Sequence, residues 1–346
     1  MAEPLLDVRD LRVDFATERG TVRALFGVSF SVAPGETVGL VGESGCGKTV
    51  TALSILRLLA SPPARVAGGQ ILFRGEDLLA FPERRMCEVR GKSISMIFQE
   101  PMTSLNPVLT VGDQVAEVFT AHGACGKRDA AARAVEWLRK VHLPDPPLRA
   151  REYPHQMSGG MRQRAMIAMA LALSPALLIA DEPSTALDVT IQAQILALLR
   201  EMREQERMAV LLITHDLGVV HEFADRTAIM YLGRIVEIAP TAGLFAGPLH
   251  PYTQGLLASL PGKPAEERRL PSIPGTVPDL SAVPPGCPFA DRCPLRQAAR
   301  ERFRSGRTSG DDLAVCDRED PPLFEYGRGH LAACHHQRAV RGGSAR

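Results

Sequence analysis

Thr37-Val38-Gly39-Leu40-Val41-Gly42-Glu43-Ser44-Gly45-Cys46-Gly47-Lys48-Thr49 is the stretch on which the fold turns. Thr37 to Val41 reads as a short buried strand, and a helical pattern runs from Thr49 to Leu59. Between them, Gly42 to Thr49 have the spacing of a phosphate-binding loop, in the strand–loop–helix setting that such a loop needs. Glycines let the backbone wrap close to phosphate oxygens, while the loop N–H groups and the helix N-terminus supply positive potential. Lys48 is the candidate to reach the β- and γ-phosphates, and Thr49 to ligate Mg2+. Alone, the loop specifies a nucleoside triphosphate and little more.

Upstream, Leu5 to Glu36 alternate apolar and polar residues, as in VRALFGVSFSV, which predicts an antiparallel β layer with one solvated face. Downstream, Ile94 to Phe98 is another apolar strand. Residues 105–174 carry helical patterns (AAARAVEWLRKVHL, MRQRAMIAMALAL) and no clear strand. Strand character returns at Leu177–Ala180 and Val210–Thr214, with a helix over Ile191–Glu206 between them. This order predicts an α/β P-loop NTPase with a mostly parallel core, an N-terminal antiparallel β layer and an inserted helical subdomain at about 105–174. The composition changes near residue 248, and ten of the 27 prolines lie between Pro248 and Pro288. We expect an ATPase domain over 1–247 and an irregular Pro/Cys-rich extension over 248–346.

A second chemical signal closes the strand Leu177–Ala180. Asp181 is placed to hold Mg2+, and Glu182 to orient and polarise an attacking water.

Bulk properties remove other classes. The formal net charge of +1 gives no case for nucleic acid. The longest apolar run, Ala165–Ala180, is shorter than a membrane span and is interrupted by Ser174-Pro175. The N-terminus interleaves charged and apolar residues, so no secretory leader is expected, and a membrane is met only through partners. Of seven cysteines, Cys287, Cys293, Cys316 and Cys334 fall in the tail. In a cytosolic setting such a cluster suits metal or cluster ligation better than disulfides. Four thiolates could hold zinc or an iron–sulfur cluster, with His335 or His336 as substitutes.

Met157-Ser158-Gly159-Gly160-Met161-Arg162-Gln163-Arg164 brings the sequence to a known family. Ser158 and two glycines open a helix and so make a second anion site on one chain. The stretch resembles the LSGGQ signature of ABC (ATP-binding cassette) ATPases, in which two ATPases pair head to tail and each signature caps the ATP in its partner's phosphate loop. The resemblance extends in order to Gln99 as the Q-loop glutamine, which senses Mg2+ and nucleotide and faces the membrane subunit. It also covers Thr185-Ala186-Leu187-Asp188 as the D-loop and His215 as the switch histidine at the γ-phosphate. Two elements depart from the pattern: Phe15 and Arg19 compete for the place of the adenine-stacking aromatic, and Val50 replaces a second hydroxyl residue after the loop threonine.

Phe98-Gln99-Glu100-Pro101-Met102-Thr103-Ser104-Leu105-Asn106-Pro107 and His250-Pro251-Tyr252-Thr253 look like segments of the dipeptide and oligopeptide importer ATPases. So do Ile273–Pro278, Pro285–Phe289 and Arg292-Cys293-Pro294. The resemblance implies ATP-driven alternating access at the cytoplasmic face of a membrane. Its implied partners are a second ATPase subunit, two transmembrane permease subunits and an extracytoplasmic solute-binding protein. A [4Fe–4S] cluster at the tail cysteines is also implied, as in some members of that family. The competing readings are an ABC ATPase of soluble machinery, a nucleic-acid ATPase, and a P-loop kinase or GTPase. The tail and the HPYT stretch speak against the first. A single cassette without heptads or a basic patch speaks against the second, and the signature against the third.

Overall fold

The computed structural model describes residues 3–18, 20–99, 104–183, 188–260, 273–280, 283–307, 313–341 and 344–345. The elements run β1 (Leu6–Thr17), β2 (Gly20–Val32), β3 (Thr37–Val41), α1 (Lys48–Ile55), β4 (Ala64–Phe73), β5 (Glu76–Asp77), α2 (Glu83–Val89) and β6 (Ile94–Ile97). Then follow α3 (Val111–Ala121), α4 (Lys127–Lys140), α5 (Pro146–Arg149), α6 (Gly159–Leu171), β7 (Leu177–Asp181), α7 (Val189–Glu206) and β8 (Ala209–Thr214). The rest is α8 (Leu217–Phe223), β9 (Arg226–Tyr231), β10 (Arg234–Pro240), α9 (Thr241–Ala246), α10 (Pro251–Ala258), α11 (Pro294–Arg304), β11 (Phe324–Glu325), β12 (Leu331–Ala332), α12 (His335–Arg341) and β13 (Ser344–Ala345). The chain forms two compact units, one of Met1–Leu6, Ser31–Thr37 and Leu72–Ile213, the other of Asp7–Phe30, Val38–Ile71 and Thr214–Arg346.

In the first unit β6, β7 and β8 are parallel, with Ile94 opposite Leu177 and Leu177 opposite Ala209. Every residue of the three strands is buried. This explains why they read as unbroken apolar runs: a parallel sheet is covered on both faces. As expected, the insert is helical. Thr110 starts α3 by accepting the Asp113 N–H at 3.2 Å. Val111, Val115 and Phe119 then bury one face of α3, which packs against α4 and α6.

In the second unit β2, β1 and β4 lie side by side as the expected N-terminal layer. Leu6, Val8, Leu11 and Val13 are buried along β1. Separately, β3 runs parallel to β9, with Val38 opposite Arg226 and Val41 opposite Ile229. The antiparallel β9–β10 pair shifts register between Ile235 and Glu237, the mark of a bulge.

The tail is more regular than its proline content predicts. β12 pairs with β10, Glu237 opposite Ala332, and β11 lies between β12 and β13. Strands of two residues carry no readable period, so the sequence could not announce them. Phe289, Tyr231 and Tyr252 meet in one core, with ring centroids 4.7–5.4 Å apart. Burying Phe289 contributes about 2 kcal/mol, and each edge-on ring contact on the order of 1 kcal/mol more.

Candidate active site

The phosphate loop hangs between β3 and α1 in the second unit. Gly47 caps α1 with φ 106°, a left-handed conformation that glycine adopts without strain. Gly42 has no space for a side chain, since a Cβ there would lie 2.2 Å from the carbonyl oxygen of Met230. Lys48 is buried, and its Nζ donates to the carbonyl oxygens of Gly42 at 2.8 Å and Glu43 at 3.1 Å. The loop therefore already cradles a cation at the place expected for the β- and γ-phosphates. Burial pushes the Cys46 thiol up from its ordinary range, so it stays neutral beside this amine. Ser44, Gly45 and Thr49 are exposed. A glycine cradle with a buried lysine and an exposed hydroxyl fits ATP and Mg2+. In the same unit His215 is exposed between β8 and α8. Asp216 caps α8, accepting the Gly218 N–H at 2.8 Å.

The first unit holds the carboxylates. Asp181 is buried at the carboxyl end of β7, where open α/β sheets place their ligands. Glu182 follows with φ 47°, unusual for a residue with a side chain. That conformation costs on the order of 1–3 kcal/mol, a strain that clusters at functional sites. It is held by the Glu182 N–H, which donates to the Ile213 carbonyl at 2.8 Å. Gln99, exposed just beyond β6, donates its Nε2 hydrogen to Glu182 Oε2 at 3.2 Å. The two residues singled out in separate sequence segments thus meet.

Ser158 caps α6, its Oγ accepting the Met161 N–H at 3.4 Å. Gly160 lies so close to α7 that a Cβ would stand 3.0 Å from Ile191 Cγ2. Gln163, which sequence reasoning did not single out, is buried and donates to the Pro183 carbonyl at 2.6 Å, tying α6 to the turn after Glu182. Only its membership of the signature stretch could have pointed to it. Asp188 is exposed and caps α7 through the Ile191 N–H at 2.9 Å. Thr185, Ala186, Leu187, the segment Glu100–Thr103 and Arg19 lie outside the described residues, and Phe15 is half-buried on β1.

Cys287, Cys293, Cys316 and Cys334 line a single cavity of about 20 Å³, together with His250, Phe289 and His335. Burial, and then the neighbouring thiols, push Cys316 and Cys334 up to about 11 and Cys287 higher still. The four are therefore protonated at neutral pH, and any metal must displace their protons. Among the described residues, no group of three or more His, Cys, Asp or Glu side chains is placed to hold a metal ion. The expected metal or cluster site at the tail cysteines, zinc or iron–sulfur, is thus not preformed among the described residues.

Comparison with known proteins shows the family. Residues 25–185 match the ABC transporter family, and residues 236–299 match the C-terminal region of oligopeptide/dipeptide transporters. The chain is similar to a probable peptide ABC transporter ATP-binding protein, y4tR, of Sinorhizobium fredii: 54% identity over 96% of this chain and 95% of the relative. It is also similar to the dipeptide transport ATP-binding protein DppD of Bacillus subtilis: 52% identity over 90% and 92%. Among solved structures it resembles the ATP-binding cassette MJ0796 in a dimeric post-hydrolysis state bound to ADP and Pi. The TM-score is 0.61 at 26% identity, covering 68% of this chain and 98% of that one. CbiO1 of Clostridium perfringens, part of the transporter complex cbiONQ, follows with a TM-score of 0.59 at 25% identity, covering 71% and 92%. A phosphate loop closed on Lys48, a paired Gln99 and Glu182 and a capped signature helix, matched over nearly the full length of such relatives, make this chain an ATPase of the ABC transporter family.

Proposed function

We propose that the chain powers an importer of di- or oligopeptides, or related small solutes, across a cytoplasmic membrane. The observation that carries this reading is similarity over 90–96% of the chain to ATP-binding proteins named for peptide transport, with residues 236–299 matching their C-terminal region.

The residue roles in this reading are those implied by the family resemblance, supported by the local contacts described above. Gly42 to Thr49 hold the triphosphate, with Lys48 on its outer phosphates. Thr49 of the second unit and Asp181 and Gln99 of the first are the residues that would hold Mg2+, whose charge would offset that of the transferred phosphoryl group. Glu182 accepts the proton of the attacking water, and Gln99 keeps its carboxylate aimed. His215 contacts the γ-phosphate. Ser158, Gly159 and Gly160 serve the ATP of a second ATPase subunit, identical or homologous, and Asp188 lies where the two cross. Closing on ATP and opening after hydrolysis moves the membrane subunits by differential binding between the two states.

Two permease subunits and a solute-binding protein complete the assembly in this reading. Among the described residues no helix is long and apolar enough to cross a membrane. A groove of about 330 Å³ is lined by Met96, Phe98, Gln114, Val118 and Met166. Phe98, Val108 and Leu109 are exposed. Apolar surface of this kind suits a cytoplasmic segment of the permease. A [4Fe–4S] cluster, which the tail's resemblance implies, would be held by the four cysteines that line one cavity.

The test is isolation of the tagged chain from its native membranes in mild detergent, with partners identified by mass spectrometry and iron and sulfide assayed in the same sample. Two multi-span subunits and a solute-binding protein are expected. Soluble partners alone would move the reading to a non-transport ABC ATPase, and absence of iron and sulfide would remove the cluster. Glu182→Gln should bind ATP, lower turnover at least about a hundredfold and accumulate an ATP-bound dimer. Normal turnover would remove its role.

A further inference from the structure

We propose that Arg292, from the C-terminal extension, is a positioning residue of the ATP site, acting through Glu43 of the phosphate loop. The two residues are separated by 249 positions, yet Arg292 Nη1 donates to Glu43 Oε2 at 2.8 Å and Nη2 to Oε1 at 3.2 Å. This is the fork-on-fork pairing that fixes a carboxylate in orientation as well as in place. The guanidinium is itself immobilised: its Nε donates to the Pro274 carbonyl at 3.0 Å, and Nη1 reaches the Tyr231 hydroxyl at 3.4 Å. The Arg292 side chain is only 6% exposed, against 30% for Glu43.

The extension also holds the other end of Glu43. The Glu43 N–H donates to the hydroxyl of Tyr252, at 3.0 Å, and Tyr252 is fully buried on α10. The Glu43 carbonyl in turn accepts from Lys48 Nζ. Side chain, amide and carbonyl of one loop residue are therefore each engaged, two of them by groups outside the loop. A carboxylate in an anion-binding loop works against its ligand: left unpaired, it repels phosphate and competes for Lys48. Arg292 cancels that charge, and together with Tyr252 it fixes the backbone that sets the position of the lysine.

This inference rests on the loop being the phosphate site, so the experiment separates the two. ATP affinity of the full-length chain is measured by equilibrium titration without Mg2+, with thermal melts as a folding control. Lys48→Ala tests the site. Arg292→Met, Glu43→Gln and the double variant test the coupling. We expect Arg292→Met to weaken ATP binding about tenfold. The loss should largely disappear when Arg292→Met is made in the Glu43→Gln background, because the charge to be cancelled is gone. Arg292→Lys, which keeps the charge without the fork, should lose about threefold or less and covers the case in which Arg292→Met does not fold. Unchanged affinity in Arg292→Met with impaired Lys48→Ala would overturn this inference alone, as would losses that simply add in the double variant. Unchanged affinity in Lys48→Ala would overturn both.

Discussion

Acid should loosen this protein through His250, and the effect can be sized. Burial lowers the His250 imidazole from 6.5 to about 4, with the nearby Glu237 carboxylate only partly opposing the shift. Its Nδ1 accepts the Tyr252 N–H at 3.1 Å and so caps α10, leaving the ring proton on Nε2. The folded state therefore keeps the ring neutral where the unfolded chain takes up a proton. With a depressed folded value, the contribution is complete above about pH 6.5 and is lost as pH falls toward about 4. At about 1.4 kcal/mol per pH unit, the full window amounts to about 3 kcal/mol, and the span from pH 6.5 to about 5 to about 2 kcal/mol. The assay compares urea midpoints of the wild type and His250→Asn between about pH 7.5 and about pH 5. Asparagine keeps a side-chain acceptor at the cap and cannot titrate. The wild type should lose about 2 kcal/mol more than the variant across that range. Parallel pH dependences would refute a neutral, capping His250.

Two further substitutions check the loop and its anchor. Gly42→Ala would drive a methyl group into the Met230 carbonyl, 2.2 Å away. It should abolish measurable ATP binding at a stability cost of about 1–3 kcal/mol, read by titration and by melting. Tyr252→Phe keeps the ring packing but leaves the Glu43 N–H without the hydroxyl. Chemical denaturation should show a loss of about 1–3 kcal/mol, together with weaker ATP binding.

Much of this molecule can be read along the chain, because its signals are local. Val38 to Val41, Leu177 to Ala180 and Val210 to Thr214 read as strands because a parallel sheet buries both of their faces. Ser158 announced a helix start that the structure displays. Gln99 and Glu182 were each singled out in the sequence, although nothing in either segment specifies the 3.2 Å contact between them. What escaped depends on partners distant in sequence. Arg292 stands among cysteines and prolines, and its partner is the second residue of a loop whose glycines and lysine hold the eye. Tyr252 was noted as part of HPYT, but the bond its hydroxyl makes leaves no mark in the sequence. Two-residue strands such as β12 likewise exist only because β10 is there to pair with them.

That last pairing has a consequence for any shortened form of the chain. β12 and the Ala333 N–H, which reaches the Val236 carbonyl at 2.8 Å, occupy the outer side of β10. A chain ending at residue 247 would bare that row of backbone donors and acceptors beside Ile235, Val236 and Ile238, all buried in the whole protein. Such an unprotected sheet edge is a template for strands of other molecules. The tail thus also guards the cassette against self-association, so a trimmed version would be prone to aggregate even with its phosphate loop intact.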